Sequence, residues 1–199
     1  ELLANLTIVT ITFNNETELF STIKSYDNCL KSGASCIIVN GGKKIKNKIK
    51  NKNILILQEP DDGIFDALNK GVDLVKTKYF IFIHSADKFT GQIGYLASIL
   101  KKMDHENLDL ILGDTIIPFL GINRKHSSRF WTPFFLFFGA QPPHMPTIFR
   151  KTFVKDFEYD SSNKVIADFF YFKDVFDKNP KWSKYSRLLI EMAPGGNTT

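Results

Sequence analysis

Residues 59–71 read EPDDGIFDALNKG, and residues 79–87 read YFIFIHSAD. The first stretch combines apolar positions at spacings of three and four with short acidic side chains, which predicts a helix that opens on carboxylates. The second stretch predicts a buried strand that ends in His84, Ser85 and Asp87. In α/β sheets, ligands bind at the carboxyl ends of strands, where loops converge on a crevice lined by helix N-termini. A carboxylate at that position suits a divalent cation held against a phosphate, which indicates a nucleotide or another phosphorylated ligand.

The rest of the chain alternates between strand and helix patterns. Strands are predicted for residues 6–13, 35–39, 53–57, 78–83, 109–117, 147–150 and 186–192. Helices are predicted for residues 16–31, 64–75, 91–103 and 165–176. Residues 141–146 (QPPHMP) predict an irregular loop, because three prolines in six residues permit neither a helix nor a ladder. This order predicts an α/β fold with a mainly parallel central sheet flanked by helices.

Length and composition allow one domain with a substantial core. The chain has 199 residues, of which 43% are hydrophobic, and a formal net charge of +5. Cys29 and Cys36 have neither a C-x-x-C spacing nor a histidine nearby, so we expect free thiols in a reducing cytoplasm. We expect no signal peptide and no membrane span, which would need roughly 20 consecutive apolar residues. The chain begins at Glu1 rather than Met and stops at Thr199, which suggests a fragment that lacks a C-terminal segment.

The ordered set of motifs resembles family 2 glycosyltransferases with the GT-A fold. Residues 58–71 and 81–87 are similar to S-E-P-D-x-G-I-Y-D-A-M-N-K-G followed by I-x-F-L-N-S-G-D, which occurs in the bacterial branch that builds O-antigen and colanic acid. Further similarity lies in residues 7–16, 113–117, 143–151, 166–168 and 195–196. The resemblance implies one GT-A domain over residues 1–199. Residues 1–117 would form its nucleotide-sugar part and residues 118–199 its acceptor-side part.

Asp87 is the residue that the resemblance implies as the metal ligand. In the family, this carboxylate binds Mn²⁺ or Mg²⁺, which bridges the diphosphate of the donor. The chain departs from the Asp-x-Asp form, because Ser85 precedes Asp87 by two positions and His84 replaces the usual Asn. One carboxylate suffices for Mg²⁺ when phosphates and water complete its shell, so we expect weak metal affinity without nucleotide. The alternative is that Asp87 only caps a helix or forms a turn.

The resemblance implies that a set of nine residues binds the nucleotide-sugar. It comprises Thr12, Asn14, Glu16, Asn40, Asp61, Asn69, Ser85, Ala86 and Asp87. Asn40 stands where many relatives have Asp, so it keeps an acceptor for a base N–H but loses the charge. Thr12 and Asn40 have the alternative of simply ending their strands. Asp61, Asp62 and Asp66 have the alternative of capping a helix, whose N-terminus favours carboxylates.

Asp168 is implied as the catalytic base. An inverting transfer needs a carboxylate that takes the proton of the acceptor hydroxyl as the new bond forms. Asp160 and Asp174 are competing candidates. The resemblance also places His144 on the acceptor side, facing the acceptor or the diphosphate, although a packed structural histidine is the alternative.

Two segments have both a structural and a membrane interpretation. Lysines alternate at positions 43, 44, 46, 48, 50 and 52, and Phe130–Phe138 is aromatic with Arg124, Lys125 and Arg129 beside it. The lysine run predicts a solvated loop or a site for anionic lipid headgroups. The aromatic stretch predicts core or a membrane-facing surface. Nucleic-acid binding is not expected, because the aromatic and basic residues are segregated rather than interleaved.

These features lead to one predicted activity and two alternatives. The resemblance implies an inverting transfer of a hexose, Glc or Gal, from a UDP-sugar to a sugar on undecaprenyl diphosphate, at the cytoplasmic face of the bacterial inner membrane. A sugar nucleotidyltransferase is an alternative, but Thr10–Glu16 lacks the glycine, arginine and lysine of a phosphate loop. A catalytically silent binding partner is the other alternative, because the metal motif is reduced to one carboxylate.

Overall fold

The computed structural model describes residues 1–47, 49–119 and 122–193. Its strands are β1 (Leu6–Thr12), β2 (Ser35–Asn40), β3 (Ile54–Gln58), β4 (Tyr79–Phe82), β5 (Lys88–Phe89), β6 (Leu110–Leu112), β7 (Thr115–Phe119), β8 (Ile122–His126), β9 (Ile148–Arg150), β10 (Trp182–Lys184) and β11 (Ile190–Glu191). Its helices are α1 (Glu16–Ser25), α2 (Asp27–Lys31), α3 (Ile64–Asp73), α4 (Ile93–His105), α5 (Lys151–Val154), α6 (Ala167–Asp177) and a 3-10 helix over Pro133–Phe138. Within this described part of the chain, every helix is too short or too polar to cross a bilayer.

A seven-stranded sheet forms the centre of the molecule, in the order β10-β6-β9-β4-β1-β2-β3. Strand β9 runs antiparallel to both of its neighbours, and the other pairs are parallel. All seven residues of β1 are buried, as expected for an apolar strand in the middle of a sheet covered on both faces. Helix α3 packs closely on this sheet, since a Cβ at Gly71 would lie 2.5 Å from Cγ1 of Val9. The predicted mainly parallel sheet is confirmed.

A second sheet has the order β5-β11-β7-β8 and is built partly from residues predicted as a single strand. The prediction of one strand over residues 109–117 is wrong, because the chain leaves the central sheet after β6 and enters the second sheet at β7. The turn between them contains Gly113, where a Cβ would lie 2.0 Å from the ring of Tyr185. Only glycine permits this approach of backbone and ring.

Three other element predictions differ from the structure. The helix predicted over residues 16–31 is two helices, because the chain breaks at Tyr26, whose buried ring packs beneath β1 with its hydroxyl 3.2 Å from Oγ1 of Thr10. The strand predicted over residues 186–192 is limited to Ile190–Glu191. Strands β5, β8 and β10 were not predicted, since strands of two or three residues and an exposed basic strand carry no period-two signal.

The two halves of the chain share one core. Phe80 of β4 stacks on Phe149 of β9 at a centroid distance of 5.3 Å, and Phe149 contacts Tyr171 and Phe172 of α6. Residues after 117 also supply β9 and β10 to the central sheet. The described residues after 117 therefore complete the same domain as the first 117 residues, in agreement with the predicted single domain.

Candidate active site

Asn15 joins the carboxyl ends of β1 and β4. Its Oδ1 accepts a hydrogen bond from Oγ1 of Thr12 at 2.5 Å and another from Oγ of Ser85 at 3.1 Å. The backbone N–H of Ser85 also donates to the carbonyl of Ile11 at 3.0 Å. Thr12 and Ser85, both predicted site residues, therefore lie together. Sequence reasoning missed Asn15, although its place directly after β1 was the available signal.

Asn40 ends β2 and folds the turn that follows it. Its Oδ1 accepts a hydrogen bond from the N–H of Gly42 at 3.0 Å, and its Nδ2 donates to the carbonyl of Lys43 at 2.9 Å and to Oε1 of Gln58 at 2.7 Å. Asn40 is buried. The amide thus has the strand-ending role that the sequence left open, while the residue also lines the cavity described next.

A cavity of about 170 Å³ opens beside this turn. It is lined by Thr12, Asn14, Asn15, Glu16, Leu19, Asn40, Lys43, Lys44, Ile45 and Lys46. Four of the predicted nucleotide-binding residues are in this set, at the carboxyl ends of β1 and β2. Three lysines give one wall a positive charge, which suits an anionic ligand.

Asn14 and Glu16 hold the lysine loop over the cavity. Oδ1 of Asn14 accepts a hydrogen bond from the N–H of Lys43 at 2.8 Å. The carboxylate of Glu16 accepts from the N–H of Asn47 at 2.9 Å and from that of Lys46 at 3.1 Å. These backbone donors, Asn47 first, lower the pKa of Glu16. Lys48 of the predicted run lies outside the described residues.

Asp61 packs on the turn after β2. A Cβ at Gly41 would lie 1.6 Å from Oδ2 of Asp61, so the carboxylate occupies the space that only glycine leaves open. Asp66 has a different place: its Oδ2 accepts from the N–H of Asp62 at 3.0 Å and pairs with Lys70 at 2.9 Å. The hydrogen bond from Lys70 is the main cause that lowers the pKa of Asp66. The capping interpretation therefore applies to Asp66. It applies in part to Asp61, whose Oδ1 accepts from the N–H of Gly63 at 3.1 Å while its Oδ2 lies against the turn after β2.

Asn69 is not among the residues that line the cavity, and both polar atoms of its amide are used elsewhere. Its Nδ2 donates to the carbonyl of Tyr159 at 2.8 Å, and its Oδ1 accepts from the N–H of Tyr159 at 2.8 Å. The residue lies on α3, and its amide ties α3 to the segment before α6. The unfavourable helix propensity of Asn is explained by this tie.

Asp87 lies buried just beyond β4. Its Oδ1 accepts a hydrogen bond from the N–H of Ala193 at 2.9 Å, and its Oδ2 accepts from the N–H of His84 at 3.3 Å. Burial raises the pKa of Asp87 to about 6, against the opposing effect of these two donors. Ala86 has φ of 83°, a left-handed conformation in which the similar family motif has glycine. Its N–H donates to Oγ1 of Thr22 at 3.0 Å, which fixes the turn.

The single carboxylate of Asp87 suits a metal whose other ligands are substrate phosphates and water. Within residues 1–47, 49–119 and 122–193, no three His, Cys, Asp or Glu side chains come together as a metal site. From the described part of the chain, each carboxylate oxygen of Asp87 accepts one hydrogen bond and keeps a further lone pair. Mg²⁺ is commonly bound by one or two carboxylates together with phosphates and water, so this arrangement fits a nucleotide-dependent metal.

His144 is packed beneath the end of β4. Its ring stacks on Phe82 at a centroid distance of 5.0 Å, and its Nε2 lies 2.6 Å from the hydroxyl of Tyr159. Burial lowers the pKa of His144 to about 4 and that of His84 to about 3, so both rings are neutral at pH 7. Nε2 of His84 is buried and has no hydrogen-bond partner among the described residues. The structural alternative for His144 is therefore supported, with Tyr159 as its buried hydrogen-bond partner.

Asp168 begins α6 beside the proline-rich loop that carries His144. Its Oδ2 accepts a hydrogen bond from Nε2 of Gln141 at 2.5 Å. The competing candidates are placed less well: Asp160 accepts from the N–H and hydroxyl of Ser162 in an exposed turn, and Asp174 is exposed on α6. Gln141 was not predicted, and its neighbours in the proline-rich loop were the only signal.

The central sheet, its polar carboxyl edge and the aspartate after β4 define an α/β domain of the GT-A class. A family model described as glycosyl transferase family 2 matches residues 7–178, and the chain belongs to this family. Membership in the O-antigen and colanic-acid branch remains a prediction.

Curated relatives and solved structures are similar to this chain over different lengths. "PGL/p-HBAD biosynthesis glycosyltransferase" proteins of Mycobacterium bovis and Mycobacterium tuberculosis are 31% identical over 71 residues, which cover 33% of this chain and 26% of theirs. The crystal structure of S. aureus TarS 1-349 superposes with a TM-score of 0.74 at 14% identity, covering 95% of this chain and 60% of that one. The complex of the same TarS fragment with UDP-GlcNAc gives 0.74 at 15% identity, covering 98% and 60%. At these identities, the likeness to TarS establishes the GT-A fold, and the chain spans about a quarter of the curated relatives it matches.

Proposed function

We propose that this chain is the donor-binding and catalytic domain of an inverting glycosyltransferase that uses a UDP-sugar. The observation that carries the proposal is the convergence of the cavity with Asp87. Asn15 lines the cavity and bonds Ser85, two residues before the buried carboxylate. A site for an anionic nucleotide and a site for a diphosphate-bound metal are thereby adjacent.

UDP is the nucleotide that the comparisons favour. TarS has been crystallised with UDP and with UDP-GlcNAc, and its fold superposes on this chain. Lys43, Lys44 and Lys46 line the same cavity and would attract the diphosphate. We propose a hexose, Glc or Gal, as the transferred sugar.

Asp87 would hold Mn²⁺ or Mg²⁺. Such a metal, when bound, offsets the negative charge that builds on the departing diphosphate. The protein contributes a fixed carboxylate, because Ala193 and His84 orient its two oxygens. The raised pKa of Asp87 indicates that its ionised form needs a cation nearby.

Asp168 would act as the base. The acceptor hydroxyl oxygen forms a bond to the anomeric carbon while the bond from that carbon to the diphosphate oxygen breaks, and the hydroxyl proton passes to Asp168. Gln141 donates to Oδ2 of Asp168, and Oδ1 accepts from the N–H of Phe169 at 3.0 Å while keeping a further lone pair for the proton. UDP leaves with the electron pair of the broken bond.

We propose a sugar on undecaprenyl diphosphate as the acceptor, in O-antigen or other surface-polysaccharide synthesis. The enzyme would then work as a peripheral protein at the cytoplasmic face of the bacterial inner membrane. Exposed aromatic side chains between Phe130 and Phe138, beside basic residues, support this location.

A thermal-shift screen of UDP, GDP and CMP, with and without Mn²⁺, tests the proposal. We expect a Mn²⁺-dependent rise in Tm for UDP that Asp87→Asn removes. Asp62→Asn, which changes an exposed carboxylate near the same strand ends, is the matched control and should leave the rise intact. Absence of a response to every nucleotide would contradict the donor-binding function.

A second experiment separates transfer from binding. Asp168→Asn should retain the UDP-dependent rise in Tm and lose transfer, whereas Asp174→Asn should retain both. Binding without turnover in the unmodified protein would favour the silent-partner alternative, which the single carboxylate at Asp87 motivates. Release of pyrophosphate from a sugar phosphate and UTP would instead identify a nucleotidyltransferase.

A further inference from the structure

The 3-10 helix over Pro133–Phe138 turns its aromatic side chains toward solvent. The exposed phenylalanines of residues 130–138 are Phe137 (87%), Phe130 (78%), Phe138 (72%), Phe134 (62%) and Phe135 (41%). We call these five residues the aromatic surface. None of the six residues of the helix is buried. Contiguous apolar patches of this kind mark interaction sites on soluble domains.

The aromatic surface is mounted on a fixed support. The buried Trp131 donates from Nε1 to the carbonyl of Ala140 at 2.9 Å, which closes the segment at its base. Gly139 ends the helix with φ of 74°, and its N–H donates to the carbonyl of Leu136 at 3.1 Å. Leu136 packs against the core. A surface ordered before binding loses little conformational entropy when it docks, so these exposed rings are suited to a partner.

Basic side chains border the base of the aromatic surface. Nζ of Lys184 donates to the carbonyl of Arg129 at 3.0 Å and to that of Trp131 at 2.6 Å. The guanidinium of Arg129 lies 5.2 Å from the ring centroid of Phe130, at the rim of the surface. Exposed aromatic rings beside basic side chains complement the apolar and anionic layers of a membrane interface.

We propose that the aromatic surface docks into an anionic lipid bilayer. The phenylalanine rings enter the headgroup region, and Arg129 lies at the level of the lipid phosphates. This inference rests on the proposed function. A lipid-linked acceptor would present its sugar at the level of the lipid phosphates, where docking would place the enzyme. A bilayer is favoured over a protein partner because all five exposed rings are phenylalanines and the cationic groups of Arg129 and Lys184 lie at their base, which matches an apolar layer beneath anionic headgroups.

The position of the aromatic surface links docking to chemistry. Helix α6 contacts the 3-10 helix, and Trp131 packs against Phe176 of α6 at 5.1 Å. Gln141, two residues after Gly139, bonds Asp168 at the start of α6. Docking would therefore hold the candidate base beside the membrane surface, where an acceptor sugar on a lipid diphosphate is presented.

Flotation of the full chain with lipid vesicles, in the absence of nucleotide, tests the inference. We expect binding to phosphatidylcholine mixed with phosphatidylglycerol, and much weaker binding to phosphatidylcholine alone. The double variant Phe137→Ser/Phe138→Ser should reduce the partition coefficient at least about tenfold, because two exposed rings no longer enter the bilayer. Arg129→Gln should reduce it about fivefold on anionic vesicles and leave it unchanged on neutral ones.

A matched control removes two exposed apolar side chains elsewhere. Leu2 and Leu55 expose 61% and 51% of their surface, and Leu55 lies on β3, at the edge of the central sheet opposite β10. Leu2→Ser/Leu55→Ser should bind vesicles as the unmodified protein does. Circular dichroism and the UDP-dependent rise in Tm establish that each variant is folded and keep donor binding separate from membrane binding.

Three results would overturn the inference while leaving the donor proposal intact. The unmodified chain would fail to float with anionic vesicles, or the phenylalanine double variant would float equally well. Alternatively, size measurements by light scattering would show a dimer that the same double variant dissociates, without vesicle binding. The third result would assign the aromatic surface to a second copy of the chain.

Discussion

The carboxylate of Asp87 accepts a hydrogen bond from the N–H of Ala193, a residue 106 positions away, at 2.9 Å. This contact closes the segment after β11 over the strand end that bears the candidate metal ligand. The carboxylate is buried, and no cation among the described residues compensates its charge. Without a ligand, the folded protein therefore contains a destabilising group at its candidate site.

We expect Asp87→Asn to stabilise the ligand-free protein at pH 7. Burial raises the pKa of Asp87 to about 6 from an unfolded value of 3.8, so the folded state binds more protons between these values. Stability from this group is complete below the unfolded pKa and is lost as pH rises through the folded pKa. The variant removes this loss, which is on the order of 3 kcal/mol at neutral pH. One of the two N–H donors loses its acceptor oxygen, at a cost of about 1 kcal/mol, so the net change remains stabilising. Urea unfolding across that pH range measures it, and equal pH profiles for both proteins would contradict the expectation.

Gly41→Ala tests whether the place of Asp61 matters to the cavity. The new Cβ would meet Oδ2 of Asp61 at 1.6 Å, so either the carboxylate or the turn after β2 must move. We expect at least about a tenfold weaker apparent affinity for UDP, since that turn carries Asn40 and the lysine loop.

Gly94→Ala is the control for this substitution. Gly94 lies in α4 and has open space around its Cβ position, so alanine there should raise stability by about 0.5–1 kcal/mol. Calorimetric titration with UDP should give the same affinity as the unmodified protein. Unchanged affinity in Gly41→Ala as well would separate Asp61 from nucleotide binding.

Asn69→Ala distinguishes a structural tie from a ligand contact. The substitution removes two hydrogen bonds to the backbone of Tyr159 and leaves its N–H and carbonyl without these partners. We expect a loss of about 2–3 kcal/mol in the free energy of unfolding. The affinity for UDP at a temperature where the variant is folded should be unchanged, and a specific loss of UDP affinity would restore Asn69 to the nucleotide site.

The strand ends are predictable from sequence, because each buried strand stops at a change from apolar to polar residues. Thr12 and Asn40 follow β-branched runs, and the structure places both at one cavity. Asp61 is also predictable, because it lies between the end of β3 at Gln58 and the start of α3 at Ile64. Positions inside helices are harder: the motif suggested Asn69, but its direction depends on how α3 rotates against the segment at Tyr159.

Contacts between distant segments were not predictable. The hydrogen bond from Gln141 to Asp168 spans 27 residues, and the bond from Ala193 to Asp87 spans 106. The short strands of the second sheet depend on pairing rather than on their own pattern, since β8 is exposed along its whole length. Such features are set by tertiary packing, which local periodicity does not encode.

Gln141 positions the candidate base, and two substitutions test this role. Gln141→Ala removes the hydrogen bond to Oδ2 of Asp168, so we expect kcat to fall about tenfold while KM for the UDP-sugar is unchanged. Gln141→Glu places a second carboxyl group against Asp168, and the repulsion between two like charges raises the pKa at which the base ionises. The acid limb of the kcat profile should then move to higher pH in Gln141→Glu, but not in Gln141→Ala.

A merely structural role for Gln141 would produce a different result. Both substitutions would then lower Tm and reduce kcat in proportion to the folded fraction, without moving the acid limb. Gln92→Ala is the matched control, because Gln92 precedes α4, is exposed and makes no side-chain cap hydrogen bond. It should leave kcat, KM and the pH profile unchanged. A shift of the acid limb that appears only in Gln141→Glu therefore ties the ionisation of Asp168 to the chemical step, which loss of stability alone does not do.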